Sequence, residues 1–477
     1  VFRRRSASAP LRYCGSRMNL EHQGEAHQHD RRGGRPLAGI ALYNSLLAER
    51  TRSLRSSAMR DMFALTERPE VISLAGGLPD TSTFPPALYA RLMAQVAETS
   101  SARALQYGPT EGLRALAECV AEVMAAEASP VDPDRVLVTT GGQQGLDLVA
   151  KTLIDPGDVI IAEGPTYPGA ITAFAPYQPE VRQVELDRDG LVVEGVAEAI
   201  TTARGEGRRV KLIYTIPNFQ NPAGVTLALE RRRALLELAR REGILLLEDN
   251  PYGLLRYEGE QLPTIYSLDC EAGEAQNVIY LGTFSKLFAP GVRIGWVLAP
   301  APIQEKLNLA KQGADLCSSP LCQLFITAYF NERDRDQPAW QAYLDGQREL
   351  YRSRRDAMIA ALRRELGDLA SWTQPEGGLF LWVRLDERFD TTDLLARAER
   401  VAFVPGRAAY YAANRGANAM RLNFAGSPEQ EIEEGIRRIG EAIRRELGLL
   451  GALQGRLPAA PTAPVLDLRS RRRREGR

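Results

Sequence analysis

Thr283-Phe-Ser-Lys286-Leu-Phe-Ala-Pro290-Gly291-Val-Arg293-Ile-Gly295-Trp296 is the stretch around which the rest of the chain is read. Just upstream, the apolar run Asn277–Leu281 predicts a buried strand, which Gly282 and two hydroxyl residues bring to an end. Lys286 therefore falls where a strand gives way to a loop, at the edge where open α/β sheets collect ligands. Arg293 follows with a planar fork suited to gripping an oxyanion. Gly282, Pro290, Gly291 and Gly295 impose specific turns on the stretch, which sets the two cations apart from ordinary solvated surface charges.

A hydroxyl pair, an amine and a guanidinium in one turn can hold a phosphate and form an imine. Pyridoxal 5'-phosphate (PLP) makes those two demands. The stretch resembles the lysine signature of the class I/II aminotransferases, the fold-type I PLP enzymes. That resemblance implies that Lys286 carries PLP and that Arg293 binds its phosphate.

Composition narrows the alternatives. A chain of 477 residues is comfortable for two domains with good cores. Lys+Arg and Asp+Glu balance at 60 each, so overall charge gives no reason to expect a specific nucleic-acid partner, although residues 1–60 and 469–477 are arginine-rich. No apolar run approaches the roughly 18 residues of a transmembrane helix, so no membrane partner is expected. Cys14, Cys119, Cys270, Cys317 and Cys322 are widely spaced and form no Cys-x-x-Cys, which fits a reducing cytoplasm, without a disulfide framework or zinc site. The three histidines, His22, His27 and His29, all lie near the start and read as part of a solvated tract. The body of the chain thus has no Ser-His-Asp triad, no His-based metal site and no histidine base. Acid–base work falls to Lys, Tyr, Asp or Glu.

Five segments follow from patterning. Residues 1–36 are polar and read as a disordered N-terminal extension. Their acid-poor start resembles a transit peptide, but the chain begins with Val and its first methionine is Met18, so the expectation is a start site placed too far upstream. Residues 37–105 are expected to form an N-terminal arm and part of a small domain. Within them Met59, Met62, Phe63 and Thr66 share one helical face with Arg60 off it, and Pro69 stops the pattern. Val71–Leu74 then reads as a strand entering Ala75-Gly76-Gly77-Leu78-Pro79, where glycines let backbone approach a ligand closely.

Residues 106–330 are the expected large PLP-binding domain. A turn-rich segment, Gln106–Gly112, precedes a helix from Leu113 to about Glu127. Apolar runs at Val136–Val138, Val159–Ala162, Val210–Ile216, Ile244–Leu247, Val278–Leu281 and Ile294–Leu298 then alternate with helical patterns near Gln143–Ile154, Tyr167–Phe174, Leu229–Arg241 and Pro302–Gln312. This alternation predicts the α/β class, a mostly parallel sheet sandwiched by helices. Residues 331–455 are expected to form a smaller α+β domain. It would hold a long helix at Gln341–Leu366, the run Gly377–Leu385, a helix at Thr392–Glu399, strands near Val401–Val404 and Met420–Phe424, and a final helix at Pro428–Leu447. Residues 456–477 read as a disordered basic tail.

Each apolar run ends in residues that match the family. Asp249 and Tyr252 fit its pattern of acid, two residues, tyrosine; the resemblance implies that Asp249 pairs with the pyridinium nitrogen and keeps it protonated. Pro217-Asn-Phe-Gln-Asn221-Pro222-Ala-Gly224 resembles the family's Pro-Asn-x-x-Asn-Pro-x-Gly loop, so Asn221 and Tyr252 are expected to bond the cofactor's phenolate oxygen. Thr139-Thr-Gly-Gly142-Gln143-Gln-Gly145 is a glycine turn opening a helix, whose free N–H groups suit a phosphate. Gly142 and Gln143 match the family's phosphate loop, and Thr283 and Ser285 add hydroxyls. Tyr167 matches the aromatic that stacks on the ring. Tyr107 resembles the tyrosine that reaches the phosphate from the other subunit, which implies a homodimer with shared active sites.

Arg421 stands inside a short strand, where a charge needs a partner. The resemblance supplies the substrate α-carboxylate, held bidentate. Gly77 and Asn221 are further expected substrate contacts, and Arg60 is the expected lid cation that selects acidic side chains. Two departures are mild. Asn250 stands where aspartate is frequent, and Gly142 where serine is frequent, which weakens one phosphate contact.

The resemblance spans about residues 50–448 and is greatest to the 2-aminoadipate and aromatic aminotransferase subgroup. It implies PLP-dependent transamination of an L-amino acid of the 2-aminoadipate, glutamate, aromatic or branched-chain type. The acceptor would be a 2-oxo acid such as 2-oxoglutarate, in cytoplasmic amino-acid biosynthesis. Lys286 is the expected base between Cα and the cofactor, with Asp249 and Tyr252 beside it and no metal. Two rivals share the scaffold: a PLP lyase or decarboxylase, and an aminotransferase-like transcriptional regulator lacking its DNA-binding domain.

Overall fold

The computed structural model describes residues 40–54, 70–271, 273–412 and 414–453. Arg60 and the helical pattern around it, the three histidines, and the segments 1–36 and 456–477 lie outside the described residues. The chain divides into two compact units, residues 1–49 and 50–477. In the first, the described residues form a helix at Ile40–Leu46.

The second unit is built on an eight-stranded sheet. In chain order its strands are β1 (Leu137–Thr139), β2 (Val159–Gly164), β3 (Glu180–Asp187), β4 (Gly190–Leu191), β5 (Val210–Thr215), β6 (Leu245–Asp249), β7 (Val278–Thr283) and β8 (Gly295–Leu298). Across the sheet they lie in the order β1-β8-β7-β6-β5-β2-β3-β4. Strands β7, β6, β5, β2 and β3 run parallel, and β8 is antiparallel to its neighbours β7 and β1. Parallel strands carry crossover helices on both faces, so their sequences are apolar throughout rather than alternating. Ile160, Ile161, Leu212, Ile213, Leu246, Leu247, Val278 and Ile279 are accordingly fully buried. The helix Gly142–Leu153 turns Leu146, Val149 and Ala150 inward, the i, i+3, i+4 face expected of a covering helix.

From β2 the chain winds outward to β3 and β4. It then returns to β5 on the other side of β2 and continues the opposite way through β6 and β7. That reversal leaves a crevice at the carboxyl ends of β2 and β5, where a doubly wound sheet binds its ligand.

A second, antiparallel sheet contains β9 (Ala370–Trp372), β10 (Phe380–Leu385), β11 (Val404–Pro405) and β12 (Ala419–Asn423), in the order β9-β10-β12-β11. The helices Ala339–Glu365 and Glu429–Leu453 pack against each other. Ile72–Ser73 pairs in parallel with Val401–Ala402. The single strand expected over Val401–Val404 is therefore two short ones, with the buried Phe403 at the junction between them. Apolar-run reading also passes over β3, because its sequence Glu-Val-Arg-Gln-Val-Glu-Leu-Asp carries charges near the sheet edge. The helices Pro86–Ala104, Val193–Gly205 and Pro320–Phe330 escape it too.

Candidate active site

Strand β7 delivers the first part of the site. Gly282 pairs with Trp296 on β8, and the indole fills the space that a side chain at 282 would need. Beyond it, Thr283 Oγ1 lies 2.9 Å from Ser285 Oγ and accepts from Ser285 N at 3.1 Å, which fixes the turn. Arg293 adopts a left-handed conformation after a short helical turn, and its Nη1 donates to Pro290 O at 3.1 Å and to Ser285 Oγ at 3.4 Å.

The end of β1 meets the same place. Gly141 has φ +79, and a side chain there would collide with the Arg293 guanidinium. At Gly142, the first residue of the helix, a Cβ would meet nothing within 4 Å. The free N–H groups of that helix end, the Ser285 hydroxyl and the Arg293 fork thus surround open space, which is a cradle for a phosphate.

Lys286 Nζ donates to Gly77 O at 2.5 Å. Burial, with the Arg421 and Arg293 charges adding to it, lowers its pKa to about 8. An amine so placed supplies neutral nucleophile near physiological pH.

Strands β5 and β6 furnish the opposite wall. Asp249 ends β6 buried, and its Oδ2 accepts from the Tyr214 hydroxyl at 2.9 Å. Burial pushes its carboxyl up to about 6, against the opposing effect of that hydrogen bond. Asn221 Nδ2 donates to the Tyr252 hydroxyl at 3.4 Å, and Asn221 Oδ1 accepts from Arg421 Nη1 at 3.0 Å. Arg421 Nη2 donates to Ala75 O at 2.7 Å, and its guanidinium lies 4.2 Å from the Phe380 ring centroid. Burial lowers its pKa to about 10, which still leaves it a cation at neutral pH.

One cavity of about 410 Å³ brings together Gly77, Gly142, Gln143, Tyr167, Asn221, Asp249, Tyr252, Thr283, Ser285, Lys286, Arg293 and Arg421. That volume is of the size small-molecule sites have. Its chemistry runs from an anion cradle through a depressed-pKa amine to a buried carboxylate, with a second guanidinium to one side. A phosphate-bearing pyridine aldehyde fits this donor set. Tyr107 is not part of its own chain's cavity; it is 78% exposed, so it is not a core tyrosine either. Arg60, the expected lid cation, lies outside the described residues. Asp249 accepts a side-chain hydroxyl rather than capping a helix. A larger cavity, about 790 Å³, lies behind the Asn221 loop against Ala223, Trp372 and Trp382, but it contains no lysine and offers no such chemistry.

Sequence reading passed over Tyr214, which sits among apolar residues of β5, and over the buried Glu163, Arg232 and Glu127. The usable signal was a polar group within or beside an apolar run, since such a group must find a partner when buried. Among the described residues no cluster of His, Cys, Asp or Glu could hold a metal, and no helix is long and apolar enough to cross a membrane.

Comparison with known proteins agrees with this geometry. The family described as aminotransferase class I and II matches residues 69–439. The chain is 42% identical over 408 residues to aromatic-amino-acid aminotransferase 1 of Thermococcus litoralis, covering 85% of this chain and 95% of that protein. It is 37% identical over 399 residues to a 2-aminoadipate transaminase of Thermus thermophilus, covering 83% and 96%. Among solved structures, the multiple substrate aminotransferase from Thermococcus profundus superposes with a TM-score of 0.78 at 40% identity, covering 85% of this chain and 99% of that one. A Pyrococcus horikoshii kynurenine aminotransferase in complex with PMP gives 0.78 at 39% identity, covering 85% and 98%.

Proposed function

This chain belongs to the aminotransferase class I and II family, and from that premise we propose how its own residues carry the reaction. It is a transaminase that depends on pyridoxal 5'-phosphate. When bound, that cofactor supplies an electron sink for the carbanion formed at the substrate's Cα. Lys286 Nζ would hold the cofactor and, as a free amine beside the substrate's Cα, would take and return the proton there. Arg293, Ser285, Thr283 and the N–H groups at Gly142–Gln143 would hold the phosphate. Asp249 would pair with the ring nitrogen, and the Tyr214 hydroxyl fixes its carboxylate for that. Tyr252 and Asn221 would bond and orient the ring, and Tyr167 would stack on it. Arg421 grips the substrate α-carboxylate, with Asn221 and Gly77 beside it.

The observation that carries this reading is the position of Lys286 Nζ in one cavity with both guanidiniums. The donors we assign are 2-aminoadipate, glutamate and aromatic or branched-chain amino acids, with 2-oxoglutarate as an acceptor; the names of the similar enzymes support this class. We further read the protein as a cytoplasmic homodimer in amino-acid biosynthesis, with Tyr107 reaching the partner's cavity. The exposure of Leu105 and Tyr107 supports an interface there. The domain reading stands with it: a large domain over residues 106–330 and a small one over 331–455, which residues 37–105 help to build. The pairing of Ile72–Ser73 with Val401–Ala402 supports the last part.

The test is direct. Purified protein is mixed with each amino acid and 2-oxoglutarate, the oxo acid formed is identified, and borohydride fixes the cofactor for peptide mapping. Oxo-acid formation with the adduct on Lys286 is expected. An adduct on another lysine, or ammonia or CO2 release in place of amine exchange, would reject the assignment.

A further inference from the structure

Glu163 ends the apolar run of β2, four residues before Tyr167, and is 2% exposed. It does not line the cavity. One oxygen accepts from Thr215 Oγ1 at 2.5 Å and Ile216 N at 3.1 Å; the other accepts from Gln220 Nε2 at 2.9 Å. Gln220 is the neighbour of Asn221, and its side chain is fully committed. The same Nε2 donates to Pro165 O at 2.8 Å, while Oε1 accepts from Ala223 N at 2.6 Å. One carboxylate therefore ties the turn that carries Tyr167 to the loop that carries Asn221.

Arg232, which is fully buried, holds the start of that loop and the chain just beyond it. Its guanidinium donates to Pro217 O at 3.1 Å, Asn218 Oδ1 at 2.6 Å and Leu227 O at 2.9 Å. Between these two anchors, Asn221 is the residue whose amide reaches into the site, toward Tyr252 and Arg421. The three donors to Glu163 are all neutral groups, an expensive way to bury a carboxylate. Burial, together with the Asp249 charge nearby, raises its pKa to about 7, which the three hydrogen bonds oppose.

A carboxylate can accept from all three donors at once. A glutamine of the same shape cannot, because its NH2 must face either the Ile216 N–H or the Gln220 NH2. Turning Gln220 to relieve the clash would set an NH2 against Ala223 N–H and loosen the loop one residue from Asn221. We propose that Glu163 is the positioning residue for Asn221. It acts on cofactor retention and on turnover without touching cofactor or substrate. This rests on the reading that Asn221 faces the cofactor.

The experiment is a double-mutant cycle on the holoenzyme, pairing Glu163→Gln with Asn221→Ala. Two quantities are read in each variant: kcat/KM for glutamate, and the Kd for cofactor after resolution and reconstitution. In the native background Glu163→Gln is expected to lower kcat/KM by about ten- to hundredfold, the range a small misplacement of a site group can cost. The Kd is expected to rise alongside it. In the Asn221→Ala background the same change should move both by less than about twofold, because the residue it positions is gone. Equal losses in the two backgrounds, or no loss in the native one, would overturn the proposal, whatever happens to Tm. Should Glu163→Gln fail to fold, Gln220→Ala removes the arm between Glu163 and the loop and takes its place in the cycle. Borohydride labelling of Lys286 in the parent enzyme separates this outcome from a failure of the wider assignment.

Discussion

Arg421 and Asn221 join the four-stranded sheet to the eight-stranded one: Nη1 on β12 donates to Oδ1 in the loop after β5 at 3.0 Å. Nη2 is turned to Ala75 O at 2.7 Å, so the plane of the fork is set by two partners in different parts of the chain. A guanidinium aligned in this way is ready for a carboxylate before one arrives.

Arg421→Lys should weaken binding of every amino-acid substrate alike. Lysine offers a point charge where a planar fork is needed. Truncating one partner of a buried, hydrogen-bonded charge pair costs roughly 2–5 kcal/mol, and a retained ammonium recovers part of that. KM for glutamate and for an aromatic amino acid should therefore rise together by about tenfold or more. A rise confined to one of them in steady-state assays would mean that Arg421 reads the side chain instead.

The Lys286 amine, lowered to about 8 by burial and by the charges of Arg421 and Arg293, titrates in an accessible range. A lysine whose pKa is lowered is neutral above that value and protonated below it. The rate at which apoenzyme takes up PLP should thus climb with pH, reach half its limit near 8 and then level off. Stopped-flow absorbance measures it. Half-saturation near the ordinary lysine value of 10.5 would contradict the burial seen here. Lys286→Ala should keep its fold and show no covalent uptake at any pH.

Asp249, Glu163 and Glu248 are raised to about 6, 7 and 7, in each case first by burial. A raised acid binds more protons folded than unfolded between its two values. Its stabilising contribution is complete below the unfolded values of 3.8 and 4.5 and is lost progressively as pH rises from there to about 6 and 7. Apoprotein melts should accordingly fall over that window. Asp249→Asn should flatten the part leading up to 6 while lowering activity by about a hundredfold or more, since the ring nitrogen would lose the counter-ion proposed for it. An unchanged pH profile together with unchanged turnover would show that Asp249 has neither role.

Tyr107 is exposed on its own chain, so Tyr107→Ala should fold normally. If active sites are shared, mixing this variant with Lys286→Ala and allowing subunits to exchange rebuilds one intact site in each mixed dimer. Activity should then reappear from two nearly inactive proteins, and sedimentation should show a dimer. Exchange without recovery would place Tyr107 outside the site.

The parts of the site that sequence displays are those standing at strand ends. Lys286, Asp249 and Asn221 each follow an apolar run closely, and the run predicts both the strand and the edge at which they emerge. What sequence does not display is who backs whom. Tyr214 reads as one more apolar position in β5 until the adjacent strand β6 brings Asp249 beside it. Glu163 and Gln220 lie 57 residues apart in sequence, and nothing local in either segment names the other. Strand β3 failed for a related reason: near the sheet edge its charges are tolerated, so it lacks the signature of a strand buried on both faces.

The bond between Arg421 and Ala75 spans 346 residues of chain. A ribosome building this protein must therefore finish almost the whole of the described chain before the grip proposed for the α-carboxylate can exist. Closing so long a loop adds little entropy beyond closing a shorter one, but contacts this distant in sequence slow the search for the native arrangement. The core strands β2, β5, β6 and β7 are complete by Thr283, so the sheet has all its parallel members while the site still lacks Lys286, Arg293 and Arg421. The order of synthesis thus separates two capacities. A nascent chain acquires its framework long before it can hold a substrate.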